Sequence, residues 1–378
     1  MSKKSALSAP FALAFVWFTT HFGGGFASGR QAVEFYNSFG WYAIFTPLIS
    51  VTIMALVYYY AWDFTVVKKT YDYKNWANQF FKPYEKVFAN LYEIMFNLIL
   101  LTATAVAFAT GGATIATTLG TPYIFNTIVI AIAIFFLTIF GADLIRKAAS
   151  YMGILIIVGL LVIYGANLIA RLPQIMEILK TAPSPQGFWP ALWNAIVYAG
   201  FQATLIGSFV AVSDVLEDRA AARKATIYGY IINGGLLLLA SVVLMSFYPE
   251  ILPESVPMIY VLRHGVGAGW MEIIISLLIL LGVISTGVNL IYGGAKRMIG
   301  IWPSGGDVKR ERKRNIIASA IYVLITWGIA LFGLIPLVAK GYGYIGYVSI
   351  FVIIIPVLIK GFFFRDWVGK DSKDTIKI

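Results

Sequence analysis

Two adjacent hydroxyl residues stand in the middle of a long apolar run, Leu281-Gly282-Val283-Ile284-Ser285-Thr286-Gly287-Val288-Asn289. Oxygen donors at that depth suit a hard cation such as Na⁺, by the logic that governs Ca²⁺ and Mg²⁺. The same side chains could instead bond back to carbonyls one turn earlier, a habit of Ser and Thr in membrane helices. A second stretch able to do chemistry is Thr19-Thr20-His21-Phe22-Gly23-Gly24-Gly25-Phe26-Ala27-Ser28-Gly29-Arg30. Each glycine weakens a helix by about 1 kcal/mol. Three in a row predict an interruption whose freed amides and carbonyls line a cavity or lie within protein, because they cannot face lipid. The competing reading is close helix packing through small residues.

Other polar groups have both a functional and a plain reading. Glu93 and Asn97 are four residues apart and share a helix face, as a proton relay or as a local buried contact. Arg30 and Glu34 share a face beyond the glycines, as an outer gate or as a solvated ion pair. His21 could titrate or simply pack. Trp17, Trp189, Trp193, Tyr198 and Phe201 could wall a site, although aromatic residues also populate membrane interfaces. The glycine triplet is not a phosphate loop, since it follows no strand and lacks a trailing Gly-Lys-Ser/Thr. With no cysteine and only two histidines, thiol chemistry and a histidine-built metal site are excluded. No nucleophile–base set is visible, so the chain does not read as an enzyme, and no cofactor is expected.

These residues have to be positioned within a membrane. Of the 378 residues, 59% are hydrophobic and 12% charged, against about 25% charged in a soluble domain. Mean hydropathy is +0.79. Lys3 and Lys4 precede an apolar stretch that runs into the glycines with no small-residue cleavage site, so no cleavable signal is expected. The apolar runs predict an all-α polytopic protein with ten spans: 8–36, 40–67, 85–118, 122–142, 148–170, 188–215, 222–247, 270–297, 314–336 and 342–364. The net charge of +11 does not read as nucleic-acid binding. Only Arg30, Arg171, Lys180, Arg263 and Lys340 fall on one side of the ten-span topology; the rest of the 29 Lys and Arg fall on the other. That bias places both termini in the cytoplasm and predicts a multi-pass protein of the plasma membrane, with the lipid bilayer as a partner.

Ten spans divide into five plus five, and an odd number per half forces opposite orientations, an inverted repeat. The repeats are expected at 1–171 and 172–364, followed by a cytoplasmic tail at 365–378. Span 6 should mirror span 1, and its middle, Tyr198-Ala199-Gly200-Phe201-Gln202-Ala203-Thr204, is again interrupted by small and polar residues. The Pro-rich stretch Leu172 to Trp189 and the segment Pro249 to Trp270, with a short helix expected at Met258 to Arg263, are either lids or connectors.

In this combination the chain resembles the amino acid–polyamine–organocation superfamily with the leucine-transporter fold. Within it, the chain is similar to the bacterial YkvI-type membrane proteins. The resemblance rests on the broken span 1 at Gly23-Gly24-Gly25, the broken span 6 at Gly200 to Thr204, and Ser285-Thr286 in span 8. It implies a Na⁺ site formed by Ser285, Thr286 and carbonyls at Gly282, Thr20 and Gly23. It also implies a solute site at the amides of Gly24 to Phe26 and the carbonyls of Tyr198 to Gln202. The cavity should then be lined by Phe22, Gly23, Gly24, Gly25, Phe26 and Ala27 and by Tyr198, Gly200, Phe201, Gln202 and Thr204. Proton-coupled relatives can place a lysine from span 5 in the sodium position, and Ser150 to Ile169 holds none. The inner gate of better-known members, a basic N-terminal residue with an acid at the end of span 8, is absent, because Lys296 and Arg297 stand there. The implied activity is Na⁺-coupled symport of a small organic solute, most readily an amino acid. A quaternary amine or osmolyte, and a non-transporting ligand sensor, are the alternatives.

Overall fold

The computed structural model describes residues 8–140, 142–267, 269–300, 308–365 and 367. Among the described residues every regular element is helical. Seven helices are long and apolar enough to cross a membrane: Thr46–Lys68, Glu85–Leu119, Tyr123–Phe140, Gly153–Ala170, Arg219–Met245, Gly269–Ala295 and Leu334–Phe363. They correspond to expected spans 2, 3, 4, 5, 7, 8 and 10. Spans 1 and 6 fall short because they are interrupted. Span 9, Val308–Ala330, carries five Lys and Arg in its first turns.

Span 1 is built from Ala9–His21, Gly24–Ala27 and Arg30–Phe35. The glycine triplet is not uniformly non-helical, as expected from the sequence. The break falls at Phe22 and Gly23, where Gly23 adopts φ −58°, ψ 175°. Gly24 and Gly25 already belong to the next turn. A second interruption follows at Gly29, whose φ of +84° lies in the left-handed region that favours glycine. Span 6 is built from Phe188–Ala203 and Ile206–Val210. Its break falls at Thr204-Leu205, not at Gly200-Phe201.

Gly200 serves packing instead. A Cβ there would meet the Gly346 carbonyl oxygen at 2.4 Å, and one on Gly346 would meet the Val197 carbonyl oxygen at 2.3 Å. Spans 6 and 10 therefore touch backbone to backbone, which is the small-residue reading of the sequence applied at this site.

The helices sort into two groups. Spans 1, 2, 6 and 7 pack among themselves, and so do spans 3, 4, 8 and 9; span 5 leans on spans 7 and 8. Corresponding members of the two halves occupy corresponding groups, as a repeat requires. Gly229 of span 7 makes room for Trp17, as a Cβ there would lie 2.1 Å from the indole. Trp17 in turn meets Tyr58 edge-on at 4.9 Å.

Two helices were not foreseen. Leu172–Thr181 occupies the Pro-rich stretch, and Tyr73–Phe80 follows span 2, capped by Asp72 accepting from Asn75 N–H at 2.7 Å. The expected Met258 to Arg263 helix is present as Pro257–His264. Span 10 begins at Leu334, eight residues earlier than expected. The tail from 368 on lies outside the described residues.

The span 6–span 10 contact makes a sharp prediction. Gly346→Ala should lower the unfolding midpoint of the detergent-solubilised protein by an amount equivalent to about 1–3 kcal/mol of overpacking. Gly328→Ala, where a Cβ meets nothing within 4 Å, should leave it unchanged or raise it.

Candidate functional site

Breaking a helix inside a protein leaves backbone groups that must find partners. At the first break Phe22 N–H still reaches Phe18 O at 2.8 Å, and the ladder resumes with Phe26 N–H on Gly23 O at 2.9 Å. The second interruption is closed by Ser28. Its Oγ donates to Gly25 O at 2.8 Å and accepts from Arg30 N–H at 3.2 Å. Its carbonyl accepts from Met258 N–H at 3.0 Å. At the break in span 6 the partners are tyrosines from two other spans. Tyr58 OH donates to Gln202 O at 2.7 Å, and Tyr92 OH accepts from Gly207 N–H at 2.6 Å while lying 3.3 Å from Thr204 O.

A cavity of about 430 Å³ opens beside both breaks. Gly23, Gly25, Phe201 and Gln202, all expected at the solute site, line it. Phe22, Phe26, Ala27, Tyr198, Gly200 and Thr204 do not. Thr204 is buried with its hydroxyl on Phe201 O at 2.5 Å, so the plain back-bonding reading applies to it. Phe22 and Phe26 stack on each other at 4.1 Å. Gly24 opens the short second piece of span 1. The cavity also extends beyond the breaks along Ser208 and Val212 of span 6 and Leu290 and Gly293 of span 8. It therefore reaches toward the end of the bundle where Arg219 lies, and is not confined between the breaks as expected.

The opposite end is closed. Arg30, 3% exposed, donates to Leu252 O at 2.6 Å and Glu254 O at 3.1 Å and pairs with Glu34 at 2.5 Å. The Arg30–Glu34 pair thus forms, and Arg30 also grips the segment between spans 7 and 8. Arg263 at the far end of that segment donates to Glu272 at 2.5 Å and Thr117 O at 2.8 Å. Nearer the cavity, Phe201 stacks on Tyr342 at 4.4 Å with the rings almost parallel.

Gln202 is the sharpest polar feature of the lining. It is 4% exposed, and its Oε1 is buried with no hydrogen-bond partner. A buried acceptor left unpaired costs about 1–3 kcal/mol, which a donor arriving in the cavity would recover. His21 also lines the cavity, with both ring nitrogens engaged: Nδ1 with Asn233 Oδ1 at 2.8 Å and Nε2 with Tyr198 OH at 2.6 Å. Asn233 Nδ2 donates to Gly229 O at 2.8 Å, which turns Oδ1 to the ring. This network assigns the proton to Nδ1 and makes Nε2 the acceptor. The Glu93–Asn97 pair lies elsewhere: Asn97 Nδ2 donates to Glu93 Oε1 at 2.9 Å and Glu93 O at 2.7 Å, and neither residue lines the cavity.

Ser285 and Thr286 face the same region from span 8. They line the main cavity and also a small one of about 20 Å³ shared with Thr19, Phe22, Gly23, Gly153 and Gly282. A Cβ on Gly23 would lie 2.6 Å from Thr286 Oγ1 and 3.4 Å from Thr20 O. Only glycine permits this approach of span 1 to span 8. Thr20 lines the main cavity and Thr19 lines both, while the Thr20 carbonyl stays beside Gly23. The span 5 residue at this point is Gly153.

Sequence reasoning missed Gln31, Phe96, Asn289 and Tyr342 in the lining. Phe96 and Tyr342 read as ordinary apolar-face aromatics, and Gln31 stands one residue past the stretch that was singled out. It also missed the buried Asp63, which accepts from Arg219 Nε and Nη2, both at 2.7 Å, and from Trp367 Nε1 at 2.7 Å.

No protein-family model matches the chain. The Bacillus subtilis uncharacterized membrane protein YkvI is 26% identical over 347 residues, covering 88% of this chain and 92% of YkvI. Among solved structures, a substrate-bound, outward-open Na⁺-coupled sialic acid symporter matches with TM-score 0.64 and 13% identity, over 94% of this chain and 80% of that one. MhsT in complex with L-phenylalanine matches with TM-score 0.62 and 13% identity, over 96% of this chain and 99% of that one. The chain has the leucine-transporter fold, as its motifs imply, and is similar to YkvI in sequence.

Tyr92 is where span 3 holds the break in span 6. Tyr92→Phe should destabilise the protein by about 1–3 kcal/mol, the cost of leaving a buried donor unsatisfied, and should speed amide exchange across residues 205–210. Tyr344→Phe, at a side chain 66% exposed, should do neither.

Proposed function

We propose that the chain is a secondary active transporter that moves a small organic solute by alternating access, with an amino acid as substrate and Na⁺ as coupling ion. The observation that carries this reading is the make-up of the main cavity. It touches both helix breaks, and none of its lining residues is Asp, Glu, Lys or Arg. A zwitterion brings its own opposite charges and is held there by backbone dipoles and neutral side chains. Its amine donates to Gln202 Oε1, and its carboxylate falls to the amides that open the second piece of span 1. The unpaired Gln202 acceptor favours a primary amine over a quaternary one, which has no N–H to give. The binding of L-phenylalanine by MhsT, a structure of the same fold, is in keeping with this class.

For Na⁺, the hydroxyls of Ser285 and Thr286 and the carbonyl of Gly282 come from span 8. The span 1 donors in this reading are the carbonyls of Thr20 and Gly23: Gly23 lines the small cavity with Ser285 and Thr286, and Thr20 O lies 3.4 Å from where a Cβ on Gly23 would be. All the donors are neutral oxygens, which suits a monovalent hard cation. Among the described residues no group of three or more His, Cys, Asp or Glu could hold a metal ion, so the donor set does not suit a transition-metal cargo. Span 5 presents Gly153 and Ile156 to the small cavity and no lysine. In this reading the lid at Arg30 faces outward, both termini are cytoplasmic and the cavity opens inward.

A thermal-shift screen of amino acids and amines in Na⁺ and in choline buffer tests the proposal, since a ligand of the folded state raises the apparent midpoint. An amino acid should stabilise the wild type more in Na⁺, and Ser285→Ala with Thr286→Ala should abolish that difference. Gln202→Ala should weaken binding by about 1 kcal/mol, roughly fivefold. Equal binding in both buffers would refute Na⁺ coupling, and stabilisation by quaternary amines alone would refute the substrate class. Binding without uptake in proteoliposomes would make the chain a sensor.

A further inference from the structure

The buried Asp63 does more than join two spans. Its carboxylate, with no exposed side-chain surface, holds Arg219 through two hydrogen bonds and takes a third, at 3.4 Å, from Arg365 Nε. Arg365 also donates to Tyr59 OH and lies over the Tyr59 ring at 5.1 Å. Arg219 Nη2 reaches Arg365 O at 3.3 Å. The two guanidiniums are thus fixed side by side. Arg223 stands four residues beyond Arg219, on the same helix face, and is exposed.

All three arginines line one groove of about 620 Å³ between spans 2 and 7. Among the described residues the carboxylate that meets them is Asp63. Glu217 and Asp218, which precede Arg219 in the chain, do not line the groove, and Asp218 is occupied in capping span 7 through Ala221 N–H at 2.7 Å. Like charges four residues apart on a helix repel, and an anion between Arg219 and the exposed Arg223 relieves that repulsion. Planar, pre-aimed guanidiniums suit the bidentate oxygens of a phosphate.

The remaining walls identify what carries that phosphate. Past the arginines the groove continues along Ala55, Leu56, Thr226, Ile227 and Tyr230. From Arg219 to Tyr230 is a run of about 16 Å along the helix, at 1.5 Å per residue. Ile227 is 46% exposed, and its neighbour on the same outer surface, Ile231, is 63% exposed. A free anion has no use for an apolar trough of that length, whereas a phospholipid needs both parts. We infer that the groove between spans 2 and 7 binds an anionic phospholipid, its headgroup phosphate on Arg219, Arg223 and Arg365 and an acyl chain along Leu56, Ile227 and Tyr230. The arginines lie at the end of the bundle that carries most of the basic residues, where the anionic leaflet is expected. The site joins two spans of the group that includes both broken helices.

The test uses the full chain purified in neutral detergent, titrated with phosphatidylglycerol, with phosphatidylcholine of the same acyl chains, or with inorganic phosphate alone. Binding is read by native mass spectrometry and by the thermal midpoint. Phosphatidylglycerol should be retained and raise the midpoint; phosphatidylcholine and phosphate should not. Arg223→Gln removes one charge without touching Asp63, and should weaken retention about fivefold. Thr226→Trp fills the groove with no change in charge, and should weaken it at least as much. Neither variant should shift the lipid-free midpoint by more than a degree or two; a larger shift would mean that Arg223 and Thr226 hold the fold, and would overturn their assignment to a lipid groove. Retention equal for both lipids, equal stabilisation by inorganic phosphate, or retention unchanged in both variants would each overturn the assignment.

Discussion

Backbone groups released inside a membrane protein must be hydrogen-bonded within it, and the structure is organised by how that demand is met at two places. Each break keeps some local hydrogen bonds and takes further partners from other elements. The one in span 6 is held by Tyr58 from span 2 and Tyr92 from span 3, one from each group of helices. The one in span 1 is held at its far side by Met258 from the short helix Pro257–His264. Each repair therefore joins elements that belong to different parts of the fold. The breaks cannot be understood as local flaws in two helices, because removing a distant hydroxyl would unpair them.

This explains which parts of the fold were legible from sequence. The apolar spans follow from run length, which depends on local composition alone, and seven of the expected ten appear among the described residues as helices long and apolar enough to cross a membrane. The glycine triplet correctly marked span 1. Its neighbourhood could not fix where the ladder stops, since Gly23 breaks it while Gly24 and Gly25 go on as helix. At span 6 the signal pointed to Gly200, but a glycine can serve a break or a close contact, and the choice depends on Gly346, 146 residues later. The actual break at Thr204-Leu205 has no glycine, because two tyrosines supply what the backbone lacks.

The site shows the same division. Ser285 and Thr286 could be singled out because hydroxyls are rare in an apolar run, and the structure brings them to Gly23. Gln202 stood out as a neutral amide at depth. Phe96 and Tyr342 could not be told from other aromatics in a chain that is 16% aromatic. The expected lining by Phe22, Phe26 and Tyr198 fails for a simple reason: the first two stack on each other and the third is committed to His21. Aromatic residues next to a break are as readily consumed in bracing it as in walling a solute.

The contact of Gly23 with Thr286 also bears on how two ligands could be coupled. Span 1 belongs to one group of helices and span 8 to the other. An ion whose oxygens come from both can be fully coordinated only when the two groups stand in one relative position, so its binding free energy selects that position. The solute cavity draws its walls from the same pair of groups: Gly23, Gly25 and Gln202 on one side, Phe96 and Asn289 on the other. Whatever arrangement the ion selects is the one the solute meets. Under the proposed function, coupling then needs no relay of charged side chains between the sites, which agrees with a cavity lined by none. It needs the approach of the span 1 backbone to the Thr286 side chain, which a Cβ at residue 23 would crowd.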